Sequence, residues 1–235
     1  MDLEILFEDN HIIVCVKKAG ILSQAGSLDM PDMLTLLKAY IKEKYQKPGN
    51  VFLGLVHRLD LNVGGVMVFA RTSKAAKRLS QQIRNQQFNK QYFAVVNGDS
   101  GSLNKPVMLE NYIKKDQNER KAIISDDIND QYAKLVYETL EKTTVNGQVL
   151  SLVNIELITG RFHQIRVQLA HQDLPLYGDN KYGPKTRGYE LGLYAYQLSF
   201  NHPTKKEDMT FYHYPSTGIF QNFHMLRKGE ENESK

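Results

Sequence analysis

A single cysteine, Cys15, stands among the 235 residues, so no disulfide can form within the chain. It sits in Ile12-Ile13-Val14-Cys15-Val16, an apolar run where a small buried hydrophobe is the expected role. No stretch approaches the roughly 20 apolar residues that a spanning helix needs, and no charged-then-apolar leader opens the chain. A soluble cytoplasmic protein with no membrane association is therefore expected. A phosphate-cradling glycine loop ending in Lys-Ser/Thr is also missing, which disfavours a nucleotide-triphosphate enzyme. The seven histidines form no His-x-x-x-His or Glu-assisted ligand cluster, so a metal hydrolase is disfavoured too. Repeats and Pro/Ser-rich linkers are absent, which points to one domain over residues 1–227. The tail, residues 228–235, is charged and without apolar residues, and is expected to be disordered. The net charge of +4 is compatible with a polyanionic partner but does not identify one.

What is present is a mixture of strand and helix patterns. Residues 3–16 read as two short strands around a turn at Glu8-Asp9-Asn10, and residues 20–31 as a loop. Met33, Leu36, Leu37, Tyr40 and Ile41 recur at helical spacing. Val66-Met67-Val68-Phe69-Ala70 is an apolar strand, after which Ser73 is placed to cap a helix with Ala76, Leu79 and Ile83 in one stripe. Residues 91–96 form the next expected strand. The polar segment 104–129 reads as an exposed hairpin with a solvated face. Residues 132–140 and 149–158 read as strands around Asn146-Gly147, the strongest hairpin signal here. Thr159 is a candidate cap for a helix beginning near Arg161, and 204–208 is a turn between strands.

Two separated stretches carry the chemistry: His57-Arg58-Leu59-Asp60 and Gly160-Arg161-Phe162-His163-Gln164-Ile165-Arg166. A carboxylate used as nucleophile or base must stay ionised in a water-poor pocket, and a nearby guanidinium favours that state. A structural Asp–Arg pair is the plainer alternative. With Gly64-Gly65, Lys90-Gln91-Tyr92 and Leu193-Tyr194-Ala195-Tyr196-x-Leu198 in the same order and spacing, the set resembles the RluA-type pseudouridine synthases across roughly residues 3–215.

That resemblance implies an α/β (α+β) fold with a large mixed, mostly antiparallel sheet, flanking helices and a central RNA cleft. It implies isomerisation of uridine to pseudouridine in ribosomal or transfer RNA without cofactor or metal; no obligatory protein partner is evident, and a monomer is expected. Asp60 is then the essential carboxylate, attacking sugar C1′ or acting as a base at C2′. Arg166 is its charge partner, and Tyr92 stacks on the target uracil. His57, Arg58, Lys90, Arg161, His163 and Lys181 are candidate RNA contacts. For Arg161 a solvated surface role stands equally. Gly64-Gly65 would either let RNA backbone approach or simply open a strand. On the expected helix, His163, Arg166 and Ala170 share one face, while Phe162, Ile165 and Leu169 form an apolar stripe.

Two departures from the family pattern are visible. The usual Thr-Ser before glycine is replaced in Leu61-Asn62-Val63-Gly64-Gly65, and Val16-Lys17-Lys18-Ala19-Gly20 lacks the usual proline. No S4-like module precedes the motifs, so target selection is expected from the loops and the 104–129 segment. The competing class is a non-catalytic RNA-binding protein on the same scaffold. It predicts loss of Asp60, Tyr92 or Arg166, and all three are present.

Overall fold

A computed structural model describes residues 3–26, 30–116, 118–185, 188 and 190–226, so the expected tail lies outside the described residues. In chain order the elements are β1 (Glu4–Glu8), β2 (Ile12–Lys17), α1 (Met33–Lys44), β3 (Gly54–Leu55), β4 (Gly64–Ala70), α2 (Ser73–Arg84) and β5 (Asn89–Asn97). There follow β6 (Val107–Asp116), β7 (Lys121–Ser125), β8 (Gln131–Val145), β9 (Gln148–Leu157), α3 (Gln164–His171), β10 (Leu193–Asn201), β11 (Asp208–Tyr212) and a short 3-10 turn (Gly218–Asn222). The fold is α+β, a large and mostly antiparallel sheet with few helices. Two compact units are delineated: Met1–Asn89 with Gln197–His213, and Lys90–Tyr196 with Tyr214–Lys235.

The first unit is built around β4, whose seven residues are all buried. A strand with neighbours on both sides and no solvent face reads as an unbroken apolar run rather than an alternating one. β2 pairs with it antiparallel, Ile12 opposite Ala70 and Lys17 opposite Gly65, and β1 pairs outside β2. The first core cluster joins Ile12, Val14, Val66, Val68, Leu79, Phe88, Leu198 and Phe200. Helix α1 buries Met33, Leu37 and Ile41, positions four apart that lie on one face. Asp32 caps it, accepting the Thr35 N–H at 3.0 Å. Helix α2 is capped by Thr72, not by Ser73 as expected. Thr72 has the extended backbone an N-cap needs and accepts the Ala75 N–H, whereas Ser73 is already the first helical residue.

In the second unit the strand order is β10-β5-β9-β8-β6-β7. The hairpin expected at Asn146-Gly147 closes with Val145 opposite Gln148, both turn residues having positive φ (51° and 79°). Those angles match the right-handed twist of the flanking strands, which explains the Asn-Gly pair. The 104–129 segment is a hairpin, β6–β7, but the expectation of a merely solvated one needs correction. Leu109, Ile113 and Ala122 are buried, and Ile113, Ala122, Ala133 and Val167 of α3 form a core cluster. Alternation explains the misreading: Met108 and Ile123 project to solvent while their strand neighbours face α3. Among the described residues, no helix is long and apolar enough to cross a membrane.

Candidate active site

In the first unit, Asp60 lies on the turn between β3 and β4, half-buried. The turn is pinned before and after it. Leu59 is buried, its N–H donating to Ser23 Oγ at 3.1 Å while its carbonyl accepts from the same hydroxyl at 2.9 Å. After Asp60, the Leu61 carbonyl accepts the Gly20 N–H at 2.9 Å and the Lys17 ammonium at 3.1 Å. Lys17 also donates to the carbonyls of Ile21 (2.6 Å) and Lys18 (3.2 Å) and is fully buried. Burial pushes its ammonium down to about 8, a shift partly opposed by the charge of Asp60. A lysine closing β2 thus staples the Gly20 turn to the Asp60 turn. Sequence reasoning passed over it, because a lysine ending an apolar strand ordinarily reaches solvent.

The neighbours of Asp60 divide. Arg58 is exposed. His57 turns inward: its Nε2 accepts the Val68 N–H at 3.1 Å and its ring meets Phe88 edge-on at 5.2 Å. Gly64 and Gly65 are buried at the entry of β4, which fits the strand-opening reading, and Gly65 has φ 133°.

In the second unit, Tyr92 lies on β5 opposite Ile155 and is 5% exposed. Lys90, two residues before it, is half-buried; burial lowers its ammonium, and its Nζ lies 3.0 Å from where a Cβ on Gly160 would stand. The Leu193-to-Leu198 motif is strand β10, where Tyr196 stacks on Phe93 at 3.8 Å and reaches Gln91 Oε1 at 2.6 Å.

Helix α3 starts at Gln164, later than expected, and Thr159 does not cap it. The residue before its first turn, His163, has left-handed backbone (φ 51°, ψ 25°) and makes no side-chain cap bond. Gln164 does the anchoring: buried, it accepts from Thr159 Oγ1 and the Arg161 N–H and donates to the Lys134 carbonyl. Ile165 and Leu169 are buried as expected, but Phe162 precedes the helix and is 37% exposed, so the expected stripe ends at Ile165. Its ring stacks on His163 at 3.8 Å. Arg161 is exposed, with Nε donating to the Tyr132 carbonyl. Lys181 is exposed as well, its Nζ donating to the Arg120 carbonyl at 3.0 Å.

Arg166 is held by a residue that sequence reasoning missed. Its Nε and one terminal nitrogen donate to the two oxygens of Asp179, both at 2.7 Å. The Asp179 side chain has no exposed surface and that of Arg166 only 11%. Burial alone would raise the Asp179 carboxyl; the Arg166 hydrogen bonds and charge, with the N–H groups of Lys181 and Tyr182, outweigh it and hold the group below its ordinary range. Gly178 presents Asp179: at φ 71°, a Cβ there would stand 2.3 Å from the Glu190 carbonyl oxygen. The glycine-bounded Gly178-Asp179 turn was the signal available in the sequence.

A family model described as RNA pseudouridylate synthase matches residues 11–171. The chain is 31% identical to the dual-specificity RNA pseudouridine synthase RluA of Haemophilus influenzae, over 89% of this chain and 91% of that protein. It is 31% identical to ribosomal large subunit pseudouridine synthase C of Buchnera aphidicola, over 87% of this chain but 64% of the relative, so it spans less than two thirds of that protein's length. The solved structure of human RNA pseudouridylate synthase domain containing 4 superposes with a TM-score of 0.74 over 95% of this chain and 93% of that one. At 24% identity, that likeness carries the fold.

Proposed function

The chain belongs to the RNA pseudouridylate synthase family, and from that premise we propose that it isomerises uridine to pseudouridine in structured ribosomal or transfer RNA, acting as a cytoplasmic monomer. The observation that carries this reading is the match over residues 11–171, which contains Asp60, Tyr92 and Arg166. The reaction rearranges atoms already present. The bond between C1′ and N1 breaks, the detached uracil turns, C1′ joins C5, and the proton lost from C5 is balanced by one gained at N1. Nothing is oxidised or reduced, so no cofactor is called for. The target nucleotide must leave its stack for the glycosidic bond to be reached.

In this reading Asp60 is the reacting carboxylate, at C1′ as nucleophile or at C2′ as base. The two-sided pinning of its turn by Ser23 and Lys17 supports the role, since a reacting group must be held close to its productive geometry. Tyr92 is assigned to the base, and Arg166 to the support of negative charge in the reaction. The fork of Arg166 is oriented by Asp179, an arrangement suited to a guanidinium with a positional task. Arg58 and Arg161 supply cations for phosphates.

The test is a map of pseudouridines across total RNA from cells with and without this protein, the latter complemented by wild type or by Asp60→Asn. Positions lost on deletion should return with wild type only. An unchanged map sinks the proposal, and RNA binding without conversion by wild type favours the non-catalytic scaffold.

A further inference from the structure

The exposed ring of Phe162 is held in a way that packing does not require. Val167, Ile165 and Leu169 bury α3, while Phe162 stands outside the helix with 37% of its surface exposed. Its position is nonetheless fixed. One face lies on the His163 ring at 3.8 Å and 20°. His163 Nδ1 lies 2.9 Å from Tyr182 Oη, and that hydroxyl accepts the Ala122 N–H of β7 at 2.6 Å. The stack is therefore tied to the sheet backbone. The left-handed conformation of His163, unusual for a residue with a side chain, sits at the centre of this arrangement. The Lys115 ammonium stands 5.0 Å from the Phe162 ring centre, and the exposed guanidinium of Arg161, the preceding residue, is steadied by the Tyr132 carbonyl.

An exposed aromatic ring stacked on His163, with the Lys115 ammonium beside it and Arg161 next in the chain, matches what an unpaired nucleotide presents, a flat base beside a phosphate. We infer that Phe162 is a stacking platform for an unpaired base of the RNA, with Lys115 and Arg161 taking its flanking phosphates. The inference rests on the reading of the chain as an RNA-modifying enzyme and adds a contact within the second unit alone. Base stacking outweighs an exposed cation–π contact, so the arriving base displaces Lys115 from the ring and leaves its ammonium for phosphate. Because the ring is already immobilised, little ordering opposes the contact. The β6–β7 hairpin then serves as part of the RNA-docking surface.

The experiment uses the full chain and an unstructured 12-nucleotide RNA carrying 2-aminopurine beside a uridine, whose fluorescence is quenched on stacking. Phe162→Leu should weaken binding at least about fivefold and lose the quench, while Phe162→Trp restores both. Lys115→Ala should flatten the slope of log affinity against log salt by about one unit. Met108→Gln, on the opposite face of β6 and 54% exposed, is the control and should bind as wild type. Thermal melting of each variant confirms the fold. Binding by Phe162→Leu within twofold of wild type, a retained quench, or no binding of the 12-mer by wild type overturns the inference. Pseudouridine formation, assayed separately, distinguishes the two readings. Conversion with an unchanged KM for Phe162→Leu removes the platform and keeps the enzyme, whereas stacking without conversion does the reverse.

Discussion

The Arg166 guanidinium is clasped edge-on by Asp179, two parallel hydrogen bonds of 2.7 Å joining residues thirteen positions apart. Asp179→Asn keeps the shape but removes one counter-charge from a nearly buried cation. Breaking one side of such a pair costs about 3–5 kcal/mol. Turnover should fall at least about tenfold, because the fork loses its orientation. Denaturant unfolding and single-turnover rates read the two effects, and a variant as stable and active as wild type would refute the clasp. The pH dependence follows from the lowered Asp179 carboxyl. Its contribution is complete above the unfolded value of about 4 and is lost as pH falls through the folded value. The stability gap between wild type and Asp179→Asn should therefore be flat from neutral pH to about 5 and close below about 4.

Gly178→Ala should be among the most damaging small substitutions in the second unit. The new Cβ would meet the Glu190 carbonyl oxygen at 2.3 Å on backbone of φ 71°. Left-handed strain and overpacking together predict a loss of about 3 kcal/mol, with activity falling because Asp179 moves. Melting temperature and turnover measured side by side check this.

Asp60→Asn should abolish turnover yet melt within roughly 3 °C of wild type, since it removes a charge from a half-buried turn whose hydrogen bonds to Ser23 and Lys17 run through the Leu59 and Leu61 backbone. Near-normal pseudouridine formation by this variant would remove Asp60 from the chemistry.

Tyr92→Phe should keep RNA affinity and slow the chemical step, whereas Tyr92→Leu should weaken both. Single-turnover kinetics at saturating RNA separate binding from chemistry. Equal, full activity of all three side chains would return this residue, 5% exposed, to a packing role.

Lys17→Met leaves the carbonyls of Ile21 and Leu61 without their ammonium donor, and should cost on the order of 1–3 kcal/mol at neutral pH. The folded-state ammonium titrates at about 8, below its value of about 10.4 in an unfolded chain. Between those values the unfolded state binds more protons at this site, so the stability of wild type relative to Lys17→Met should rise across that window. Below pH 8 the difference should be constant. Urea midpoints from pH 6 to 10 decide it.

Local signals in the sequence are legible where their cause is local. Asn146-Gly147 closes β8 onto β9 because only such residues accept the two positive φ angles. The unbroken apolar run of β4 marks a strand buried on both faces. A pattern misleads where a tertiary or backbone event interrupts it. Phe162 had the spacing of the Ile165 and Leu169 stripe, but the left-handed His163 breaks the helix before it and turns the ring outward. Segment 104–129 looked solvated because its apolar residues are sparse, yet alternation suffices to give it a buried face. Asp60, Tyr92 and Arg166 stand in motifs, whereas Asp179 is marked only by the glycine before it and Lys17 acts through contacts that no spacing encodes.

The first unit draws on both the start of the chain and the segment Gln197–His213. Its core needs Leu198 and Phe200 from β10, with Phe211 of β11 packed against them. During synthesis the ribosome makes β4 long before it makes these partners, so the early strands must wait with an apolar face unfilled. The second unit contains a local hairpin, β8–β9, that closes through two residues and can form while the rest is still being made. A chain released before Phe211 should therefore expose the interior of its first unit to aggregation.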